Sequence, residues 1–131
     1  MQKLVKAGLT HAIVLSGVVL TQSGLAQDKT LKDGVFTAAQ ATAGQAVFDN
    51  SCKTCHNLRF YRDTMKSWDS QPLQFLYETI IGTMPADNPG SLGLDEYTNV
   101  IAYILSELEF PAGEQALDHA SGMDKITIIS P

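Results

Sequence analysis

Cys52-Lys-Thr-Cys55-His56 decides how the rest of this chain reads. Cys-x-x-Cys-His is the spacing at which a c-type haem is attached. Residues three and four apart on a helical turn share a face. Two thiols and an imidazole can therefore meet one flat macrocycle, the sulfurs bonding the vinyl groups and the ring reaching the iron. A Cys-x-x-Cys redox pair would sit in a βαβ context, which the pattern of this chain lacks. A structural zinc site needs further ligands, usually a second Cys or His pair, and the chain has only two cysteines. The motif thus implies one covalent haem c on Cys52 and Cys55, with His56 as an axial ligand of the iron.

The N-terminus implies export. Lys3 and Lys6 precede an apolar stretch from Ala7 to Leu20, broken only by Thr10, His11 and Ser16, and Gly24-Leu25-Ala26 offers small residues for cleavage. That is the pattern of a secretory signal peptide, residues 1–26. Its apolar run is well short of the ~20 residues that span a bilayer, so no membrane anchor is expected after cleavage. No cysteine lies near the cleavage site, which excludes a lipid anchor there. The expected location is the bacterial periplasm.

Loss of residues 1–26 leaves seven basic residues against fourteen acidic ones, a net charge of −7. Such a surface argues against nucleic acid and against anionic membrane as partners. A mature chain of about 105 residues suits one domain with a modest core, which a buried haem would complete.

The pattern is helical. Residues 27–36 read as a mixed, polar leader. Thr37-Ala-Ala-Gln40 and Thr42-Ala-Gly-Gln45 both fit a capping box, so a helix is expected to start at one of them and run to about Cys52. Gly44 is costly inside a helix and suggests close approach of another helix. A second helix is expected from Ser70 or Gln71 to Ile81, capped by Asp69 or Ser70, with Leu73, Leu76, Tyr77, Ile80 and Ile81 as its buried stripe and Gly82 as its stop. A third should cover Asp95 to about Leu108, its apolar face made by Tyr97, Val100, Ile101, Ile104, Leu105 and Leu108. Phe110-Pro-Ala-Gly113 ends it. In the tail, 114–131, the run Ile126-Thr-Ile-Ile129 is strand-like but too isolated to make a sheet alone, and is expected to pack on the body.

A carrier haem needs a second ligand opposite His56. The candidates are Met65, Met84, Met123, His119 and the lysines. Met84 follows a helix and precedes Pro85, so its loop can hold a thioether rigidly. Soft sulfur suits iron, and Met/His ligation raises the potential. Met65 is only nine residues from His56, and Met123 and His119 lie in a polar tail. Met84 is the choice, with His119 second.

With these residues in view, the chain resembles class I cytochromes c over about residues 37–113. The likeness rests on Gly44, Phe48, the attachment motif, Met84-Pro85 and Tyr97-x-x-Val100-Ile-Ala-Tyr103-Ile-Leu105. The resemblance implies an all-α fold, helices wrapped around one haem. Its first and last helices would cross where Gly44 and Phe48 meet Tyr103. A narrower likeness lies in Trp68-x-x-Gln-Pro72-Leu73, Met84-Pro-Ala-Asp-Asn-Pro-Gly-Ser-Leu92 and Phe110-Pro-Ala-Gly113. These look like cytochrome c domains associated with quinoprotein alcohol dehydrogenases, which implies a PQQ-dependent dehydrogenase as partner. The chain departs from the family after His56. Many members carry a Gly-rich, Pro-containing loop there whose proline carbonyl orients the histidine, whereas 57–71 has neither residue. That loop offers Arg59, Tyr61, Arg62 and Trp68 as donors to haem propionates, Arg59 and Trp68 foremost.

No catalytic acid, base or nucleophile constellation is visible. The expected function is a periplasmic one-electron carrier between a dehydrogenase and a terminal oxidase, as a monomer or in transient complexes. The alternatives are a haem c subunit of a multisubunit dehydrogenase and a gas-binding protein with an open iron site.

Overall fold

The computed structural model describes residues 28–131; the signal-peptide reading of 1–26 lies outside them. In chain order the elements are a short strand β1 (Lys29–Thr30), helices α1 (Ala38–Ser51), α2 (Leu58–Ser67), α3 (Leu73–Thr83) and α4 (Leu94–Glu107), and a strand β2 (Ile126–Thr127). Single 3₁₀ turns follow β1 and precede β2, at Leu31–Asp33 and Met123–Lys125. The architecture is all-α, as the sequence pattern expects.

Helix α1 starts at the first of its two capping boxes. The Thr37 hydroxyl accepts from the Gln40 N–H, and the Gln40 side-chain carbonyl accepts from the Thr37 N–H, both at 3.2 Å. Its main partner is α4. At the crossing an atom in the Cβ position of Gly44 would lie 1.8 Å from the Asn99 carbonyl oxygen. Only glycine allows that approach. One turn on, Phe48 packs on Tyr103 with ring centroids 5.1 Å apart. The crossing is therefore divided, Gly44 seating on the Asn99 backbone and Phe48 on the Tyr103 ring. Along α4, residues Tyr97, Thr98, Val100, Ile101, Ala102, Ile104 and Leu105 are buried. The Glu96 carboxylate accepts from the Gly93 N–H at 2.7 Å and closes the start of α4.

The sequence reading of 57–71 as a loop is corrected: most of it is α2. Absence of Gly and Pro is itself permissive, Asn57 caps the Phe60 N–H at 3.0 Å, and Leu58, Tyr61 and Met65 share one face. Helix α3 differs at both ends. It begins at Leu73 because residues 70 and 71 pair with the tail: the Ser70 N–H donates to the Ile128 carbonyl and the Ile128 N–H to the Gln71 carbonyl, both at 2.8 Å. Asp69 caps nothing in α3; it accepts from the Ser130 N–H at 2.7 Å and the Ser130 hydroxyl at 3.0 Å. At the far end α3 runs through Gly82 to Thr83.

The reading of 27–36 as a polar leader is also corrected, and the tail packs on the body. Leu31, Val35 and Phe36 are core residues, as are Leu117, Met123, Ile126 and Ile128. The strand-like run finds its partner in the leader, β2 pairing with β1 in parallel, Lys29 opposite Ile126. Leader and tail cross at Gly34 and Gly113, where a side chain on Gly113 would meet the Gly34 carbonyl at 2.1 Å. Neither segment shows the periodicity of a helix, so their apolar residues look scattered until the chain is folded.

Helix α4 ends in a Schellman motif. The Phe110 N–H donates to the Leu105 carbonyl and the Glu109 N–H to the Ser106 carbonyl. Glu109 takes the left-handed position at φ 68°, where glycine is the usual occupant.

Three outcomes follow from this packing. Gly44→Ala should destabilise the fold by more than about 3 kcal/mol, seen as failure of folded protein to accumulate. Glu109→Gly should stabilise by about 1 kcal/mol in urea unfolding, by relieving the left-handed strain. Asp33, Asp69 and Asp118 are held below the ordinary carboxylate range by hydrogen bonds from Thr30, Ser130 and Ala120. Their stabilisation is complete above the unfolded value of 3.8 and is lost as pH falls through the lowered folded values. Protection of the leader and tail amides, relative to their intrinsic exchange rates at each pH, should therefore fall below about pH 4.

Candidate haem site

The Cys52–His56 motif occupies the turn that joins α1 to α2. Helix α1 ends at Ser51, so the motif is a turn rather than part of a helix, with Cys52 as C-cap. Helical spacing survives locally, because the His56 N–H donates to the Cys52 carbonyl at 2.9 Å. Both cysteines are free thiols, Cys52 half-buried and Cys55 exposed. Burial pushes the Cys52 thiol up, so it is held as the neutral thiol.

His56 immediately precedes the N-cap of α2, and aromatic rings position its imidazole. It stacks on Phe60 with centroids 4.5 Å apart and meets Tyr61 edge-on at 5.6 Å. Tyr61 in turn contacts Phe48 at 5.7 Å, which links the imidazole to the α1–α4 crossing. Burial also raises the Tyr61 hydroxyl well above its usual value, so it stays protonated. An open depression of about 370 Å³ reaches one side of His56 between Phe48, Lys53 and Tyr103.

Met84 sits at the C-cap of α3. Its N–H donates to the Ile80 carbonyl at 2.8 Å. Its carbonyl accepts from the Tyr97 hydroxyl at 2.7 Å and from the Gly90 N–H at 3.3 Å. The turn from Pro85 to Ser91 is further closed by Asn88 donating to Pro85. Tyr97 is 1% exposed, so a residue read from sequence only as core also anchors the Met84 loop. The signal was available: a tyrosine on a buried face needs a partner for its hydroxyl.

The other candidates fare differently. Met65 and Met123 are sunk in the core at 3% and 1% exposure, whereas Met84 is half-buried. His119, the second choice of ligand from the sequence, lies parallel to the Tyr77 ring at 6.4 Å and 3.5 Å from the Asp95 carboxylate. Arg59 is exposed and Trp68 packs against the core. Because α2 is a helix, these two stand at opposite ends of it, roughly 13 Å apart along the axis, and the structure does not bring them together.

The donor set fits a covalently held haem. Two unpaired thiols three residues apart adjoin an imidazole fixed by ring contacts. Helices α2 and α3 flank the two candidate iron ligands and both lean on α4 without an extensive interface with each other. Phe60, beside His56, is 45% exposed, and Leu76, Ile80, Ile81 and Leu92 are only partly covered. Apolar surface of this kind suits a flat hydrophobic group. Among the described residues no cluster of three or more His, Cys, Asp and Glu offers a separate metal site.

Tyr97→Phe tests the loop anchor. The Met84 carbonyl would keep only the longer bond from Gly90, and stability should fall by about 1 kcal/mol in urea unfolding. The Met84–Leu92 amides should exchange faster than those of α1.

The family model described as cytochrome c oxidase, cbb3-type, subunit III matches residues 39–104, just over half of the chain. The match runs from the first turn of α1 into the last turn of α4 and includes the attachment motif and Met84. No curated protein and no solved structure matches the chain. The chain belongs to this family of c-type cytochrome domains, and its four helices form the class I cytochrome c fold of a haem c electron carrier.

Proposed function

We propose that this protein is a periplasmic one-electron carrier holding a single haem c, bonded through Cys52 and Cys55 and ligated by His56 and Met84. The observation that carries the reading is the division among the methionines of the described residues: Met65 and Met123 are used up in the core, and Met84 stands half-exposed at a loop anchored from both sides. When bound, the haem supplies reversible one-electron chemistry at iron. The chain supplies the rest. Phe60 and Tyr61 hold the imidazole of His56 in one orientation, and Tyr97 holds the backbone of Met84. With haem bound, Met84 and the partly covered apolar side chains would keep water from the iron, which together with thioether ligation would favour the reduced state. Arg59 and Trp68 offer donors to propionates, separately rather than as a pair. The apolar, two-lysine N-terminus supports export.

The surface supports a docking mode. The Met84–Leu92 loop carries Asp87 as its one charged residue, so contact would be largely neutral, with acidic residues elsewhere steering approach. A dehydrogenase, PQQ-dependent by the narrower resemblance, is the proposed donor. The family's description supports a terminal oxidase as acceptor. That same description favours a second reading, a haem-bearing subunit of a larger redox complex. A subunit co-purifies stoichiometrically with its complex, and a carrier does not.

The ferric holoprotein should show the weak far-red sulfur-to-iron band. Met84→Ala should abolish it and lower the potential. Persistence of the band in that variant, or fast carbon monoxide binding to the parent ferrous protein, would reject Met84 ligation. Haem reduction by a PQQ-dependent dehydrogenase should slow as ionic strength rises, over the range where screening shortens to about 10 Å and below. Absence of any reduction would remove that partner.

A further inference from the structure

The segment after Gly113 is tied down at every stage of its course. The Gln40 side chain that closes the α1 capping box also grips Leu117, donating to its carbonyl at 2.7 Å and accepting from its N–H at 2.8 Å. Leu117, Met123, Ile126 and Ile128 are buried. β2 pairs with β1, Ile128 bonds the backbone of residues 70 and 71, and Ser130 closes on Asp69.

Much of this grip falls on α3. Only Leu73 and Tyr77 of its eleven residues are buried. The tail's 3₁₀ turn and β2 pack on α3 at least as extensively as α4 does. His119 bridges the two helices, its ring parallel to Tyr77 of α3 and its Nε2 facing Asp95 of α4. Pro72, immediately before α3, is bridged to Thr127. At its other end α3 passes into Met84 without a break, since the Met84 N–H still bonds Ile80. A shift of α3 therefore carries the Met84 backbone with it, resisted by the bonds from Tyr97 and Gly90 and by the contacts of α3 with α4.

We infer that residues 114–131 act as a positioning strap: by clamping α3 they set the place of Met84, and loosening the strap frees the thioether from iron while His56 and the thioether bonds to Cys52 and Cys55 remain. This rests on the reading of Met84 as an iron ligand. The strap acts on the support of Met84, through α3.

The test uses the full-length ferric holoprotein and added imidazole, which competes with Met84 for iron. Two variants loosen the strap: Ile128→Ala, which opens its buried contact, and Asp69→Ala, an exposed clamp whose loss leaves the core intact. Ala43→Gly, on the exposed face of α1, is the control for general destabilisation. Imidazole should displace the far-red band at roughly tenfold lower concentration in Ile128→Ala and several-fold lower in Asp69→Ala. The control should match the parent within about twofold, and covalent haem content should be equal in all. Amides of α3 should exchange faster in the two strap variants. Should Ile128→Ala fail to accumulate, Asp69→Ala decides alone. Displacement at the parent's concentration, with α3 amides exchanging faster, would overturn the strap and leave Met84 ligation standing. A parent protein without the far-red band would overturn both.

Discussion

The contact of Gly44 with the backbone of Asn99 is the constraint on which the other placements depend. Two helices approach this closely only where one of them lacks a Cβ, and the gain is backbone-level packing along both. Once α1 and α4 are locked, Phe48 meets Tyr103, Tyr61 meets Phe48, and His56 is held by Tyr61 and Phe60. The position of the imidazole is thus inherited, ring by ring, from a glycine twelve residues upstream. Fixing a ligand by stacked rings suits a metal site, since the ring nitrogens are left free for coordination.

Opposite demands act on the segments that carry the two candidate iron ligands. His56 is carried by a turn joined to the most extensive interface in the molecule. Met84 is carried by α3, a helix with few buried residues of its own. Two outside elements compensate: α4, which lies against it and holds its C-terminal loop through Tyr97, and the tail along its body. A small domain has little core to spare. This chain enlarges its core by folding both ends onto it, with Leu31, Val35 and Phe36 from the leader and Leu117, Met123, Ile126 and Ile128 from the tail.

Polar groups follow the same economy. Among the described residues no buried side-chain nitrogen or oxygen lacks a hydrogen-bond partner. Gln40 serves the start of α1 and the tail with one amide, and Tyr97 spends its hydroxyl on the Met84 loop. The carboxylates with lowered pKa, at Asp33, Asp69 and Asp118, all lie in the leader, the linker before α3 and the tail, where they close turns or cross-link segments. The ion pairs Lys53–Asp49 and Lys66–Asp63 are exposed neighbours on the surface, and contribute little.

Local information was enough for much of this protein. The attachment motif is five consecutive residues, so its chemistry needs no fold to be read. Helices α3 and α4 were legible because their apolar periodicity is a property of each segment alone, and Gly44 announced a close approach by its cost in a helix. The first capping box marked the start of α1 for the same reason. What lay beyond reach were facts about partners distant in sequence. Helix α2 was masked because its stripe is short and its surroundings are charged. Asp69 and Ser70 look like helix caps, and only the arrival of the tail turns them into its clamps. The leader read as polar because its apolar residues have no helical period, and the strand-like run of the tail had no visible partner until β2 met β1. Tyr97 could be seen as core from its spacing, but its bond to Met84 spans thirteen residues and a loop closure. Sequence determines what each segment can do; tertiary packing decides which of the competing local partners each polar and apolar group finally takes.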